Sequence, residues 1–250
     1  MTKPADPFTI SVIQASLVSA ADEMFAVLKK TAMSPIIYEV LDVGTGITDA
    51  TGELVSSGAG IPTFVGVLDK AVKRIVELHG FEAIRDGDCY VTNDPYYGGV
   101  THLNDVVIAL PVFANGELVA WTASIAHWND LGGMTPGSMS VDVSEIFQEG
   151  LRLPAVKLFE NGQPLRSVFD IIAANSRLPD FVNGDLWAQV AASRKAETRV
   201  RQLVESYGLA AYRAALADLF VEGERRGLAG LATLPEGTFT VEEEQDDGAL

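Results

Sequence analysis

The sequence is poorest in sulfur and in positive charge, and each shortage excludes some chemistry. One cysteine, Cys89, stands in 250 residues. It rules out an internal disulfide and any thiolate-rich zinc site. Cys89 lies in an apolar run, where a thiol is normally an inert core group. The chain has 18 lysines and arginines against 34 acids, a formal net charge of -16. A generic phosphate-backbone binder needs a basic surface, so no nucleic-acid partner is expected. Part of the acid excess is local: residues 242–247 hold five acids in six positions and read as a solvated tail. No apolar run of about 18 residues passes without polar interruption, so no membrane span is expected. The opening MTKPADPFTI has no apolar signal core, which points to a cytoplasmic protein. The chain also lacks a G-x-S-x-G elbow, a G-x-x-x-x-G-K-[ST] phosphate loop and a dinucleotide fingerprint.

The 48% hydrophobic content is enough for a sizeable core and argues against disorder. Asp6-Pro7 opens a helix with a capping acid and a first-turn proline. Ile10, Ile13, Leu17, Met24 and Leu28 follow at helical spacing, and the helix should stop near Ser34-Pro35. Residues 36–47 and 53–57 read as strands around a turn at 49–52, with Glu39 and Asp42 as solvent-facing acids in the first. A second helix is expected over 65–78, stopped by Gly80. His79 at its end should meet the helix dipole or a free carbonyl. A turn at 85–88 leads into a short buried strand, 89–93. Helices are expected over 167–175, 180–207 and 209–226, and 237–242 alternates like the start of a new strand.

The expected fold is therefore α+β: a mixed or antiparallel sheet with a central β-hairpin, followed by a helical C-terminal segment. The expected organisation is an α+β region over 1–166 and a helical region of the same domain over 167–234. Residues 235–250 read as the start of a further β-rich part, cut short.

Residues 92–133 are the organising stretch. Asn115-Gly116 marks a two-residue hairpin turn. If Ala114 pairs with Glu117, a regular ladder makes Asp105 face Ala126 and His127 face Asn104. His102, Asp105 and His127 then gather at the open end of the hairpin, and two imidazoles with a carboxylate suit a divalent metal. His-x-x-Asp spacing cannot present both side chains on one face of a regular strand. Residues 101–104 must therefore be a turn or bulge, which Gly98-Gly99 makes accessible. The same residues could instead cap and hydrogen-bond a strand end; the hairpin register tips the balance to a metal. Mixed nitrogen and oxygen ligands fit zinc, manganese or iron. The long Gly- and Pro-rich segment after His127 has the character of a functional loop. The amides of GGMTPGS could cradle an anion or simply form a surface loop.

Three motifs, NDPYYGGVTHLND, AHWNDLGGMTPGS and EIFQEGLRLPAVKL, resemble the B-type subunit of the hydantoinase/oxoprolinase family, from about Asp6 onward. That family includes the B components of N-methylhydantoinase and 5-oxoprolinase, a component of caprolactamase, and the corresponding component of acetone and acetophenone carboxylases. The resemblance implies a hetero-oligomeric enzyme in which an A-type partner holds ATP and activates a small cyclic amide. The B-type partner then carries the divalent metal site where the activated intermediate is hydrolysed. It places the metal ligands on Asp42, His102, Asp105 and His127, and gives Glu39 no role. Asn93, Asp94, Asn129 and Asp130 become supporting or substrate-facing candidates, because metal-bound imidazoles usually donate their other N–H to such groups. Many hydantoinase-type members have a histidine where this chain has Trp128, and Val100 resembles an insertion. Both departures lie beside ligands and leave a component of a ketone carboxylase as an alternative to the amidohydrolase. A non-catalytic fragment or assembly module is a third reading, since the family's B-type chains are about twice this length.

Overall fold

The structure is a computed structural model, described for residues 6–242. Helix α1 spans Pro7–Thr31, and Asp6 caps it by accepting the amides of Phe8 and Thr9. A short helix α2, Pro35–Tyr38, leads to strand β1, Val43–Asp49, and to β2, Leu54–Ser57. Helix α3 is Pro62–His79, and β3 is Cys89–Thr92. The hairpin follows as β4, Asp105–Ala114, and β5, Glu117–His127. A second, smaller hairpin consists of β6, Val156–Glu160, and β7, Gln163–Pro164. Helices α4, Arg166–Asn175, α5, Pro179–Tyr207, and α6, Leu209–Leu231, complete the described chain. Residues 237–242, expected to begin a strand, carry no regular structure. Most of the acidic run at 242–247 lies outside the described residues.

The seven strands form one antiparallel sheet in the order β2-β1-β5-β4-β3-β6-β7, with the hairpin at its centre. Helices cover both faces. Val106, Ile108, Leu110 and Val112 of β4 enter the core shared with α1, α5 and α6. Val107 and Ala109 point the other way, into the core beneath α3. A strand buried on both faces reads as a continuous apolar run, and VVIALPV does. Pro111 is tolerated in β4 because β3 pairs only with residues 107–109, so no neighbour on that side requires its missing N–H. By length and composition alone α1 is apolar enough to cross a membrane. Here Ile13, Leu17, Met24 and Leu28 form a buried stripe in the core shared with α5.

Three further expectations need correction. Residues 36–42 are not a strand: Pro35 starts a helical turn instead, a position it favours. Glu39 caps that turn, and Asp42 precedes β1. The β6–β7 hairpin is an addition to the expected strands, although Asn161 (φ 49°) and Gly162 (φ 79°) form the same positive-φ turn as Asn115 (φ 54°) and Gly116 (φ 79°). Finally, the central ladder is not regular. Ala114 pairs with Glu117 and Phe113 with Leu118, but Val112 pairs with Ala120, leaving Val119 as a bulge. Every later pair shifts by one, so Asp105 faces His127 rather than Ala126.

Candidate metal centre

The bulge decides the geometry of the open end. Asp105 begins β4, His127 ends β5, and the two are directly opposed, where side chains meet across a sheet. His102 arrives from the turn before β4: the Asp105 amide donates to the His102 carbonyl at 3.1 Å. Ligand atoms of His102, Asp105 and His127 all lie within 4.8 Å of one another. The two imidazole centroids are 5.2 Å apart. Asp105 is 1% and His127 7% exposed, whereas the His102 side chain is 36% exposed, so the cluster opens to solvent on the His102 side.

Asp105 Oδ2 accepts from the Thr101 hydroxyl and lies 3.1 Å from His102 Nε2. Asp105 Oδ1 and His127 Nδ1 are buried without a hydrogen-bond partner. An unsatisfied buried polar atom costs about 1–3 kcal/mol. Two in one cluster of ligand atoms fit a divalent cation better than a structural cap. Burial, reinforced by His102, lowers the His127 pKa despite the pull of Asp105 and Asp42. The ring is therefore neutral at pH 7, the form that ligates a metal. The Asp105 hydrogen bond raises the His102 pKa in spite of burial.

Asp42 reaches the same place from the start of β1. Its carbonyl accepts the His127 amide at 3.1 Å, extending the β1–β5 ladder past Val43. Burial raises the Asp42 pKa against the attraction of His127. Its carboxylate is not among the three groups lying within 4.8 Å. Leu41, just before it, holds φ 64°. For a branched side chain that conformation costs about 1–2 kcal/mol, and such strain clusters where a neighbour must be aimed.

Three of the four supporting candidates hold backbone rather than imidazoles. Asn93 Nδ2 donates to the carbonyls of Leu103 (2.7 Å) and Leu151 (2.9 Å), and its Oδ1 accepts the Leu153 amide at 2.7 Å. It thereby fixes the turn next to His102. Asp94 caps the amides of Tyr96 and Tyr97 and pairs with Arg152 at 2.7 Å. Asp130 accepts four hydrogen bonds, from the amides of Gly132, Gly137 and Arg177 and from Arg177 Nη1. These bonds hold its pKa down although burial pushes it up. Asn129 differs: its Oδ1 is buried and unpartnered two residues from His127. The GGMTPGS amides are largely committed, those of Gly132 and Gly137 to Asp130 and that of Met134 to the Gln148 carbonyl, so an anion cradle loses its donors.

The other residues singled out by the sequence fall into place. His79 Nε2 meets the Ala155 carbonyl at 2.7 Å, as a helix-end histidine should. Cys89 is buried, which pushes its thiol pKa up and leaves it unreactive. Val100 packs in the core under α3. Trp128 is fully buried, and its Nε1 donates to Gln189 Oε1 at 2.7 Å.

Sequence reasoning missed Gln189 and Arg177. Gln189 of α5 also donates to the carbonyls of Val106 (2.9 Å) and Ser124 (3.2 Å), tying β4 to β5 just inside the cluster. Asp185, Gln189 and Ser193 are spaced by four on α5 and all are 0% exposed. Polar residues on the buried stripe of a helix were the available signal. Gln189→Leu should destabilise the fold by about 1–3 kcal/mol by leaving the Trp128 N–H unpaired. A urea midpoint equal to wild type would refute that role.

An antiparallel sheet whose central hairpin carries a His/Asp/His cluster at its open end defines the class. The hydantoinase B/oxoprolinase signature matches residues 6–250, and the chain belongs to that family. It is 35% identical over 235 residues to the beta subunit of a caprolactamase from Pseudomonas jessenii, covering 94% of this chain and 40% of that one. The crystal structure of that ATP-dependent caprolactamase superposes with a TM-score of 0.87 at 34% identity, over 94% of this chain and 40% of its own. The B component of a putative D-/L-hydantoinase from Pseudomonas sp. strain NS671 is 35% identical over 244 residues, 96% of this chain and 41% of its own. A nucleotide-free acetone carboxylase structure gives a TM-score of 0.83 at 25% identity, over 90% of this chain and 30% of its own. The chain thus spans less than half the length of these relatives.

Proposed function

We propose that this chain carries the metal centre of the B-type component in an ATP-dependent cyclic amidohydrolase. It would work in a cytoplasmic hetero-oligomer with an A-type subunit that holds ATP and activates the substrate. The observation that carries the metal reading is a pair of unpartnered buried atoms, Asp105 Oδ1 and His127 Nδ1, on two of the three residues that each bring a ligand atom within 4.8 Å of the others. His102, Asp105 and His127 would hold the ion, and Asp42 would be the fourth ligand. A zinc, manganese or iron ion there would supply Lewis acidity, polarising a carbonyl or lowering the pKa of water to about 7. The chain's own part is to orient. Thr101 fixes Asp105, Asn93 and Gln189 brace the backbone beside the cluster, and Asp130 with Arg177 fixes the loop at 132–137. The cyclic-amide substrate class rests on the likeness to caprolactamase and hydantoinase components.

The test is co-purification with the A-type subunit, followed by a screen of lactams, hydantoins and 5-oxoproline with and without ATP. Ring opening that requires both ATP and this chain is the expected result. ATP-independent hydrolysis, or none by the assembled complex, would overturn the reading. The likeness to acetone carboxylase favours one second reading, a component of a ketone carboxylase. Bicarbonate-dependent loss of a ketone without lactam hydrolysis would select it.

A further inference from the structure

Two open cavities flank His102, of about 400 Å³ and about 460 Å³. Besides His102, one ionisable residue lines both, Glu149. Among the described residues no hydrogen bond or ion pair engages its carboxylate, which shares both cavities with His102. Glu145 lines the second cavity as well, but its side chain is used to cap the turn at Ile146–Gln148.

The backbone under Glu149 is fixed from both sides. Its amide closes that turn on the Ile146 carbonyl at 3.0 Å. The flanking residues are tied to the opposite loop: the Gln148 carbonyl accepts the Met134 amide, and the Leu151 amide donates to the Leu131 carbonyl, each at 2.8 Å. Gly133 makes the approach possible. A Cβ there would lie 2.5 Å from the Gln148 oxygen and 2.7 Å from the Glu149 carbonyl carbon. The result is an unpartnered carboxylate on a pinned segment, facing the exposed edge of the metal cluster. Met139, Val141 and Val143 line the first cavity beside it with apolar surface.

We infer that Glu149 is the substrate-binding carboxylate of this site and accepts the ring N–H of a cyclic amide whose methylenes lie against Met139, Val141 and Val143. This deepens the cyclic-amide reading and rests on it. A carboxylate is the stronger kind of acceptor for an amide N–H. An amide activated at oxygen carries more positive charge on that N–H, so the same contact strengthens as the substrate becomes reactive.

The test uses the protein loaded with Mn²⁺ and compares the paramagnetic line broadening of 2-pyrrolidinone with that of N-methyl-2-pyrrolidinone. Wild type should broaden the N–H lactam about tenfold more, the ratio that one charge-assisted hydrogen bond yields. Glu149→Ala should bring the ratio to parity and Glu149→Gln to an intermediate value, with Mn²⁺ affinity unchanged in both. Parity in wild type, a ratio that survives Glu149→Ala, or a collapse of Mn²⁺ affinity in that variant would overturn the inference. Discrimination that persists while the complex opens no ring with ATP would refute the amidohydrolase reading and leave Glu149 an acceptor of lactam N–H groups without a substrate role; lost discrimination with ring opening intact would overturn the role of Glu149 alone.

Discussion

Asp105→Ala is expected to abolish metal retention while leaving the chain folded. Asp105 sits at the middle of the cluster: it holds His102 through Oδ2, faces His127 across the ladder, and offers Oδ1 free. Changes to residues that merely support a ligand cost about 10–100-fold in metal affinity, so losing the ligand itself should exceed about 100-fold. Turnover of the assembled complex should fall with it. Removing a buried carboxylate that has an unsatisfied oxygen relieves one desolvation penalty, so the apo protein should lose little stability. Metal uptake by wild type should also rise with pH, because His102, with its raised pKa, must shed its proton before it can ligate. Elemental analysis of purified protein, with calorimetric titration at several pH values, reads each of these. An Asp105→Ala protein that keeps its ion and its turnover would refute the assignment.

Asp130→Ala is expected to act in the opposite way, on the fold and not directly on the ion. Asp130 is 1% exposed, and four donors converge on its carboxylate. Its loss frees the loop at 132–137 and leaves Arg177 with carbonyl partners alone. The expected penalty is about 3 kcal/mol, at the low end for breaking a buried pair because the Arg177 side chain is 40% exposed. The pH dependence follows from the depressed pKa of Asp130. Its contribution is fully present above the unfolded carboxyl value of about 3.9. It disappears as pH falls through the lower folded value. The stability gap between wild type and Asp130→Ala should therefore be flat from neutral pH down to about 5 and close below about 4. Chemical denaturation across that range measures it, and a gap that widens in acid would contradict this account of Asp130.

Much of this was legible in the sequence because the signals were local. Asn115-Gly116 gave away the hairpin, and periodicity located α1, α3 and α5 within a few residues. Spacing alone demanded a turn at 101–104, and the structure has one. The bulge at Val119 was not legible: nothing in ELVAW distinguishes a bulged strand from a regular one, since its apolar residues suit a buried strand in either register. That single residue converts a loose gathering of candidate ligands into an opposed Asp105–His127 pair. The turn at 35–38 was missed because Ile36, Ile37 and Tyr38 favour strand locally while Pro35 and the Asp185 carboxylate, which accepts the Ser34 amide at 3.1 Å, set the chain otherwise. Asp42 entered as a candidate by family resemblance alone, because its neighbours come from a strand about 80 residues later in the chain. Arg177 carried no signal at all, its role being defined by carbonyls on a loop far earlier in the chain.

The account stands or falls on the ligands of one ion. X-ray absorption on the metal-loaded protein measures them most directly. The spectrum should show one divalent ion per chain coordinated by two imidazole nitrogens and carboxylate oxygens, with the imidazole signal halved in His127→Ala. A folded protein that binds no ion, or one whose ion shows no imidazole ligation, would contradict it.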